Sequence, residues 1–318
     1  KADLADYAVV DGCTHPLVKL ARKAGKDAAL AAYGFTKRKE YDAIFSNGEN
    51  VSIPLATLFK FVMLRPAHIL IGHHLSTPKK RWFLTFLRSQ MDLIFVYAET
   101  QRQYAVDRLK MLPKKLRLIP FHADALFYHP MDVKMPELKV ISSAGLEWRD
   151  YPTMMEALKD TPAQVKLAAA SPWSKHKNET ETRTLPQNVS ARRYSYRELR
   201  DLYAESSVVV VPLYDNDFQA GVTTLLEAMA MGKPVVITRT IGQRDVILDG
   251  VNGIYVPPSD PIALREAVDR LLADEAGATR MGEEARKVIE LEMSLDRWVE
   301  RLADGINEVV QERSASAH

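Results

Sequence analysis

Short apolar runs rich in β-branched residues alternate along this chain with longer stretches whose apolar positions recur every three or four residues. In the first part the runs predict strands over 7–10, 42–45, 67–72, 92–97 and 116–120. The periodic stretches between them predict helices over 16–24, 53–64, 79–90 and 99–110. Strand–helix alternation of this kind predicts right-handed crossovers and a parallel sheet. Residues 131–137, with two prolines, read as a linker.

The alternation then resumes. Strands are expected over 139–143, 164–170, 188–192, 207–212 and 235–237, with one more ending at Val256. Helices are expected over 152–158, 198–205 and 222–232, with a short one around Asp245. A further helix over 261–273 takes Ser259 as its cap and Pro261 in its first turn. The last periodic stretch, 295–311, places Leu295, Trp298, Val299, Leu302, Ile306, Val309 and Val310 on one face.

Residues 219–237 read QAGVTTLLEAMAMGKPVVI. A helix here opens near Val222 and closes at Gly232, followed by Pro234 and a β-branched strand. Its start offers free backbone N–H groups and the positive end of the helix dipole, a setting suited to phosphate. Thr223 and Thr224 stand in the first turn, and Glu227 lies one turn further in, between Leu226 and Ala228. A carboxylate in such surroundings needs hydrogen-bond donors. A ribose diol would supply two; a backbone amide or a neighbouring base would serve equally.

Glu227-Ala228-Met229-Ala230-Met231-Gly232-Lys233-Pro234-Val235-Val236 resembles, in full, the signature of the retaining glycosyltransferases of family 4. The segments YDAIFSNG, AHILIGHH, DLIFVYAETQRQYAVDRL and LRLIPFHADALFYHP resemble the last four strands of that family's first domain, in order. The resemblance implies an α/β GT-B fold. Two Rossmann-like domains, 1–136 and 137–318, would face each other across a cleft, with the C-terminal helix crossing back to the first. It implies a donor that is a UDP-, GDP- or ADP-sugar, no cofactor, and an acceptor that is a glycan, lipid or small molecule. Glu227 would hold the nucleotide ribose; Gly221, Val222, Thr223 and Thr224 the diphosphate; Tyr194 the base. Arg149 takes the lysine position of the family's basic loop, while Leu146 stands at its arginine position. A histidine after the third strand would touch the donor sugar. His74 is preferred, because His73 should alternate inward with Ile71, and His73 is kept as a donor contact.

Two departures matter. Gln219 stands where the family has its first glutamate; it keeps an acceptor oxygen, gains two donors and loses the charge. The family's glycine-rich first loop has only Asp11-Gly12 as a counterpart. These motivate two alternatives, a GT-B binding protein with weakened chemistry and a different GT-B enzyme such as a sugar-nucleotide epimerase. Lys175 and Lys177, in the loop over 171–177, could add positive charge. Asp215-Asn216-Asp217 has the spacing of a metal motif but lies in the loop before Gln219; a metal-independent reaction is expected, with no metal site.

The 318 residues are 47% hydrophobic and 26% charged, ordinary for a globular protein of two domains. One cysteine, Cys13, excludes an internal disulfide and fits a reducing, cytoplasmic setting. No apolar run reaches the length of a spanning helix, and no signal peptide is visible; the chain opens with Lys1 rather than Met. The net charge of +2 is unevenly spread. Residues 1–136 hold 21 Lys plus Arg against 12 Asp plus Glu, net +9, and residues 137–318 hold 22 against 29, net −7. A basic first half fits an acidic partner, peripheral contact with an anionic inner membrane face, or attraction between the halves. Within it, Lys79, Lys80, Arg81 and Arg88 surround Trp82, Phe83, Phe86 and Leu87. That segment reads either as a membrane-surface helix or as a crossover helix with its apolar face on the sheet. No nucleic-acid-binding motif accompanies the charge.

Overall fold

A computed structural model describes residues 2–169 and 185–316. The chain divides into two compact units, Lys1–Pro120 with Val299–His318, and Phe121–Trp298.

The first unit opens with three helices, α1 (Tyr7–Asp11), α2 (Pro16–Arg22) and α3 (Lys26–Thr36). The strand expected over 7–10 is therefore a helix. Asp6 caps it by accepting from the amides of Ala8 and Val9, and only Val10 is buried, so the apolar run has no sheet to enter. Asp11-Gly12 consequently ends a helix and follows no strand. α3, an alanine-rich stretch without strong amphipathic periodicity, was not anticipated; it buries Ala29, Ala31 and Ala32.

Four parallel strands follow in spatial order β1 (Ala43–Ser46), β2 (Ala67–Gly72), β3 (Leu93–Val96), β4 (Leu116–Leu118). Ile69 lies opposite Leu93 and Phe95 opposite Arg117. The crossovers are α4 (Glu49–Phe59), α5 (Pro78–Leu87) and α6 (Glu99–Asp107). All six residues of β2 are buried, which is why its limits could be read directly as an apolar run.

The second unit carries a six-stranded parallel sheet in the order β10-β9-β8-β5-β6-β7. The strands are β5 (Val140–Ala144), β6 (Gln164–Ala168), β7 (Val189–Ala191), β8 (Val208–Val211), β9 (Val235–Thr238) and β10 (Ile254–Val256). Its helices are α7 (Tyr151–Leu158), α8 (Tyr196–Glu205), α9 (Val222–Ala230), α10 (Pro261–Ala273) and α11 (Glu275–Val288), and α12 (Leu295–Ser316) runs from this unit into the first. The chain runs outward from β5 through β6 to β7, then returns to β8 on the other side of β5. The order reverses between β5 and β8, and the carboxyl ends of strands at such a reversal form a ligand crevice in open α/β sheets.

Three further expectations change. No helix forms around Asp245. Asp260, not Ser259, caps α10, accepting from the amides of Ile262 and Ala263. The proposed linker at 131–137 is irregular chain inside the second unit, and the division between units falls after Pro120. α11 was also missed. Its glycines weaken the helical signal, but Gly282 has a packing reason: a Cβ there would meet the Gly232 carbonyl oxygen. In the first unit, the end of α12 is held by Arg313, which donates to Asp92 at 3.2 Å and to the Arg65 carbonyl at 2.8 Å.

Candidate nucleotide site at the sheet reversal

The loop leaving β5 turns sharply at Gly145, φ +90°. It folds Arg149 back over the strand end, and a Cβ on Gly145 would lie 2.7 Å from Arg149 Nη2. Arg149 is only 8% exposed. Nε donates to the Ala144 carbonyl at 2.8 Å, Nη1 to the Glu147 carbonyl at 2.8 Å and Nη2 to the Thr224 hydroxyl at 2.9 Å. Burial lowers the guanidinium's pKa, opposed by Tyr151, Tyr203, Glu227 and Glu147. With five N–H donors and three of them used in these bonds, one N–H remains on each of Nη1 and Nη2 for a further acceptor. A bridge between Arg149 and Leu213 fastens this loop to the chain leaving β8, reinforced by Tyr214 N donating to the Trp148 carbonyl at 3.1 Å.

That second loop delivers α9. Its N-cap, Gly221, is left-handed at φ 75°, and a Cβ there would lie 2.7 Å from Val211 Cγ1. No side chain caps the helix, so its start is left for another partner. Val222 and Thr224 are buried and Thr223 is exposed. Thr224 is not simply a phosphate contact: its hydroxyl accepts from Arg149 and donates to the Ala144 carbonyl at 3.2 Å, tying the helix start to the guanidinium and to β5.

The approach loop is held from behind. Gln243, fully buried, donates through Nε2 to the Ala220 carbonyl at 2.9 Å, and Gly242 lies so close that a Cβ would reach 2.0 Å from the Phe218 oxygen. In the Asp215-Asn216-Asp217 triplet the two acids are exposed, while buried Asn216 pins the turn by donating to the Tyr214 carbonyl at 2.7 Å. Gln219 presents a buried Oε1 with no hydrogen-bond partner among the described residues.

One turn into α9, Glu227 is partly buried. Tyr203, from the last turn of α8, donates to Oε2 at 3.1 Å, and Tyr128 adds a second phenol hydrogen bond. Among the described residues Glu227 neither caps an amide nor forms an ion pair. Burial pushes its pKa up to about 7, against the two phenols and the charge of Arg149. A carboxylate has roughly four acceptor positions, so two phenols leave room for further donors.

Tyr194, beyond β7, lies beneath the Arg192 guanidinium, 3.7 Å from the ring centroid. Arg149, Gln219, Gly221, Val222, Thr223, Thr224 and Glu227 are thus gathered around the reversal between β5 and β8. Tyr203, Tyr128, Gln243 and Gly242 are site residues that sequence reading missed. Lys175, Lys177 and the loop over 171–177 lie outside the described residues.

His73 and His74 belong to the first unit. His73 does not turn inward as alternation suggested, because β2 ends at Gly72 and both histidines are exposed. His73 Nε2 lies 2.8 Å from Asn47 Oδ1, its ring is 5.5 Å from that of Tyr97, and its carbonyl accepts from Gln101 at 3.1 Å. Although the residue is exposed as a whole, partial desolvation of its ring lowers its pKa; Glu49 opposes this and Lys80 adds to it. His74 is anchored by its backbone N–H, which donates to buried Glu49 at 2.7 Å.

Residues 149–274 match the family described as Glycosyl transferases group 1. A D-inositol 3-phosphate glycosyltransferase of Xylanimonas cellulosilytica is 40% identical over 90 residues, 28% of this chain and 21% of that protein. An uncharacterized glycosyltransferase of Methanocaldococcus jannaschii is 27% identical over 162 residues, 51% of this chain and 44% of that protein. The chain spans less than half the length of these curated relatives. Among solved structures, a glycosyltransferase from Rickettsia africae has a TM-score of 0.74 at 15% identity, covering 97% of this chain and 84% of its own. Anabaena HepE, solved with UDP and glucose, has a TM-score of 0.73 at 16% identity, covering 93% and 83%. Two parallel-sheet α/β units of this kind define a GT-B protein. Within that fold, the match to the glycosyl transferases group 1 covers residues 149–274, the part of the chain that carries Arg149, Gln219 and Glu227.

Proposed function

We propose that the protein transfers a glycosyl group from a nucleoside diphosphate sugar to an acceptor hydroxyl, retaining the anomeric configuration. The observation that carries the reading is the uncapped start of α9 beside the buried Arg149 guanidinium, with Glu227 one turn along. The helix amides and Arg149 would take the diphosphate, and the charge that develops on it as it departs is stabilised by groups already in place. Glu227 would accept from the ribose diol, its acceptor positions only partly used by Tyr203 and Tyr128. The bond from the anomeric carbon to the diphosphate breaks, the acceptor oxygen bonds on the same face, and the departing phosphate oxygen takes the acceptor's proton. HepE, solved with UDP, gives the fold a nucleotide precedent that supports this donor class.

Incubation with UDP-, GDP- and ADP-sugars in the presence of a chelator tests the reading, with released nucleotide and product anomer followed by NMR. Transfer or hydrolysis with retention is expected. Tight binding without turnover would instead make this a binding protein, the reading that Gln219 favours, and release of an epimerised sugar would make it an epimerase.

A further inference from the structure

The outward surface of α5 carries chemistry that the second unit's site does not use. Leu84 and Leu87 are its buried residues. Lys79, Trp82, Phe83 and Phe86, related by spacings of three, four and seven, form a separate exposed stripe. The crossover-helix reading of this segment therefore holds for the leucines and fails for the aromatics. Trp82 is 63% exposed. Its ring stacks on Phe86 at 5.3 Å and meets Phe83 edge-on at 4.9 Å. Lys60, at the end of α4, places Nζ 3.4 Å from the Phe86 centroid, and the loop beyond it raises Phe61 and Met63, 82% and 100% exposed, together with Leu64.

The charge around this apolar surface has one sign. From Asn50 to Met91 the chain holds no Asp or Glu and six cations: Lys60, Arg65, Lys79, Lys80, Arg81 and Arg88. Arg65 is engaged by Asp92 and Lys80 by Glu49. Lys60, Lys79, Arg81 and Arg88 are exposed and make no ion pair among the described residues. Exposed aromatic and aliphatic side chains bordered by unpaired cations are costly in water and suit one environment, the boundary between anionic headgroups and acyl chains.

We infer that α5 and the loop after α4 dock the protein on an anionic lipid surface. Trp82, Phe83, Phe86, Phe61, Met63 and Leu64 enter the interface, and Lys60, Lys79, Arg81 and Arg88 meet the headgroups. A second copy would bring like charge against like charge. Single-stranded nucleic acid would need aromatic faces open to bases, whereas Trp82 and Phe86 cover each other and Lys60 covers Phe86. Phe61, Met63 and Leu64 have no use in phosphate binding. The inference stands apart from the glycosyl-transfer reading, and its failure leaves that reading untouched.

Cosedimentation with phosphatidylcholine vesicles, and with mixed phosphatidylcholine–phosphatidylglycerol vesicles, tests it. Near an anionic surface each exposed Lys or Arg strengthens partitioning on the order of fivefold. Binding to the mixed vesicles is expected to exceed binding to phosphatidylcholine alone by about a hundredfold at low salt, and to weaken as salt is raised. Trp82→Ser with Phe86→Ser should weaken binding about tenfold or more at unchanged circular dichroism. Lys79→Glu with Arg81→Glu, which leaves the aromatics in place, should remove the preference for anionic vesicles. No cosedimentation with the mixed vesicles at low salt overturns the inference, as does equal affinity for the two compositions. So does parental binding by both variants, or capture of a single-stranded RNA with vesicles ignored.

Discussion

Arg149 Nη2 donates to the Thr224 hydroxyl at 2.9 Å, and the same hydroxyl reaches the Ala144 carbonyl at 3.2 Å. The guanidinium is therefore a fixture of the fold: it ties the end of β5, the loop after it and the start of α9 into one hydrogen-bonded knot. A charge held this way would need no reorganisation to meet a diphosphate, as the proposed stabilisation of a leaving group requires.

Arg149→Lys tests both sides of that statement. A lysine ammonium cannot reach the Ala144 and Glu147 carbonyls and Thr224 with the geometry of a planar fork. Leaving buried acceptors unmet costs roughly 1–3 kcal/mol each way it is counted. The variant should lose about 2–4 kcal/mol of stability in urea denaturation and about tenfold or more in nucleoside diphosphate affinity by calorimetry. Parental stability would mean that the knot is not formed in solution.

Gly242→Ala addresses the support behind the approach loop. The added methyl would lie 2.0 Å from the Phe218 oxygen, closer than any backbone tolerates, so one of the two loops must move. Phe218 is followed at once by Gln219 and by the turn that starts α9. A stability loss of about 1–3 kcal/mol is expected, together with weaker nucleotide binding, although residue 242 would touch no ligand. A variant that loses stability but binds UDP as the parent does would show that the loop's position is not set from behind.

The start of α9 was legible in the chain because its signals are local: a glycine at the cap, threonines in the first turn, then Gly232 and Pro234 at the far end. The partners of Glu227 were not. Tyr203 and Tyr128 reach it from other elements, and neither carries a local signal that separates it from the remaining ten tyrosines. The strand assigned to 7–10 failed for a related reason. Four apolar residues look alike in a strand and in a short helix, and Asp6 at the cap decided between them. Where burial on both faces imposed its own pattern, as in β2, the limits were readable to the residue.

Gln219 offers a buried acceptor that no described residue satisfies. If that oxygen faces the sugar of a bound donor, removing it should affect the sugar-bearing ligand alone. Gln219→Met keeps the length and bulk of the side chain and deletes both polar groups. Affinity for UDP is expected to stay within about twofold of the parent, while affinity for a UDP-sugar that the parent binds falls about fivefold to thirtyfold, the worth of one or two neutral hydrogen bonds. Equal losses for the two ligands would place Gln219 outside the sugar's reach and make its role one of loop support.

Glu227 couples the site to pH. Its pKa in the folded chain is about 7 against 4.5 for an ordinary glutamate, because burial disfavours the charge more than Tyr203, Tyr128 and Arg149 favour it. Between those two values the folded protein holds a proton that the unfolded chain has released, so stability falls as pH rises through this window and levels off above about 7. Glu227→Gln cannot ionise. The variant should match the parent near pH 4.5 and exceed it at pH 8 by on the order of 1–3 kcal/mol, measured as denaturant midpoints at the two pH values. The same change should weaken nucleotide binding roughly tenfold to a hundredfold at pH 8, since a ribose diol would then donate to a neutral amide. A carboxylate kept at a cost to the fold and needed for the ligand is the pattern of a binding residue. If the variant is no more stable at pH 8 and binds nucleotide unchanged, Glu227 is an ordinary paired side chain and the ribose assignment falls with it.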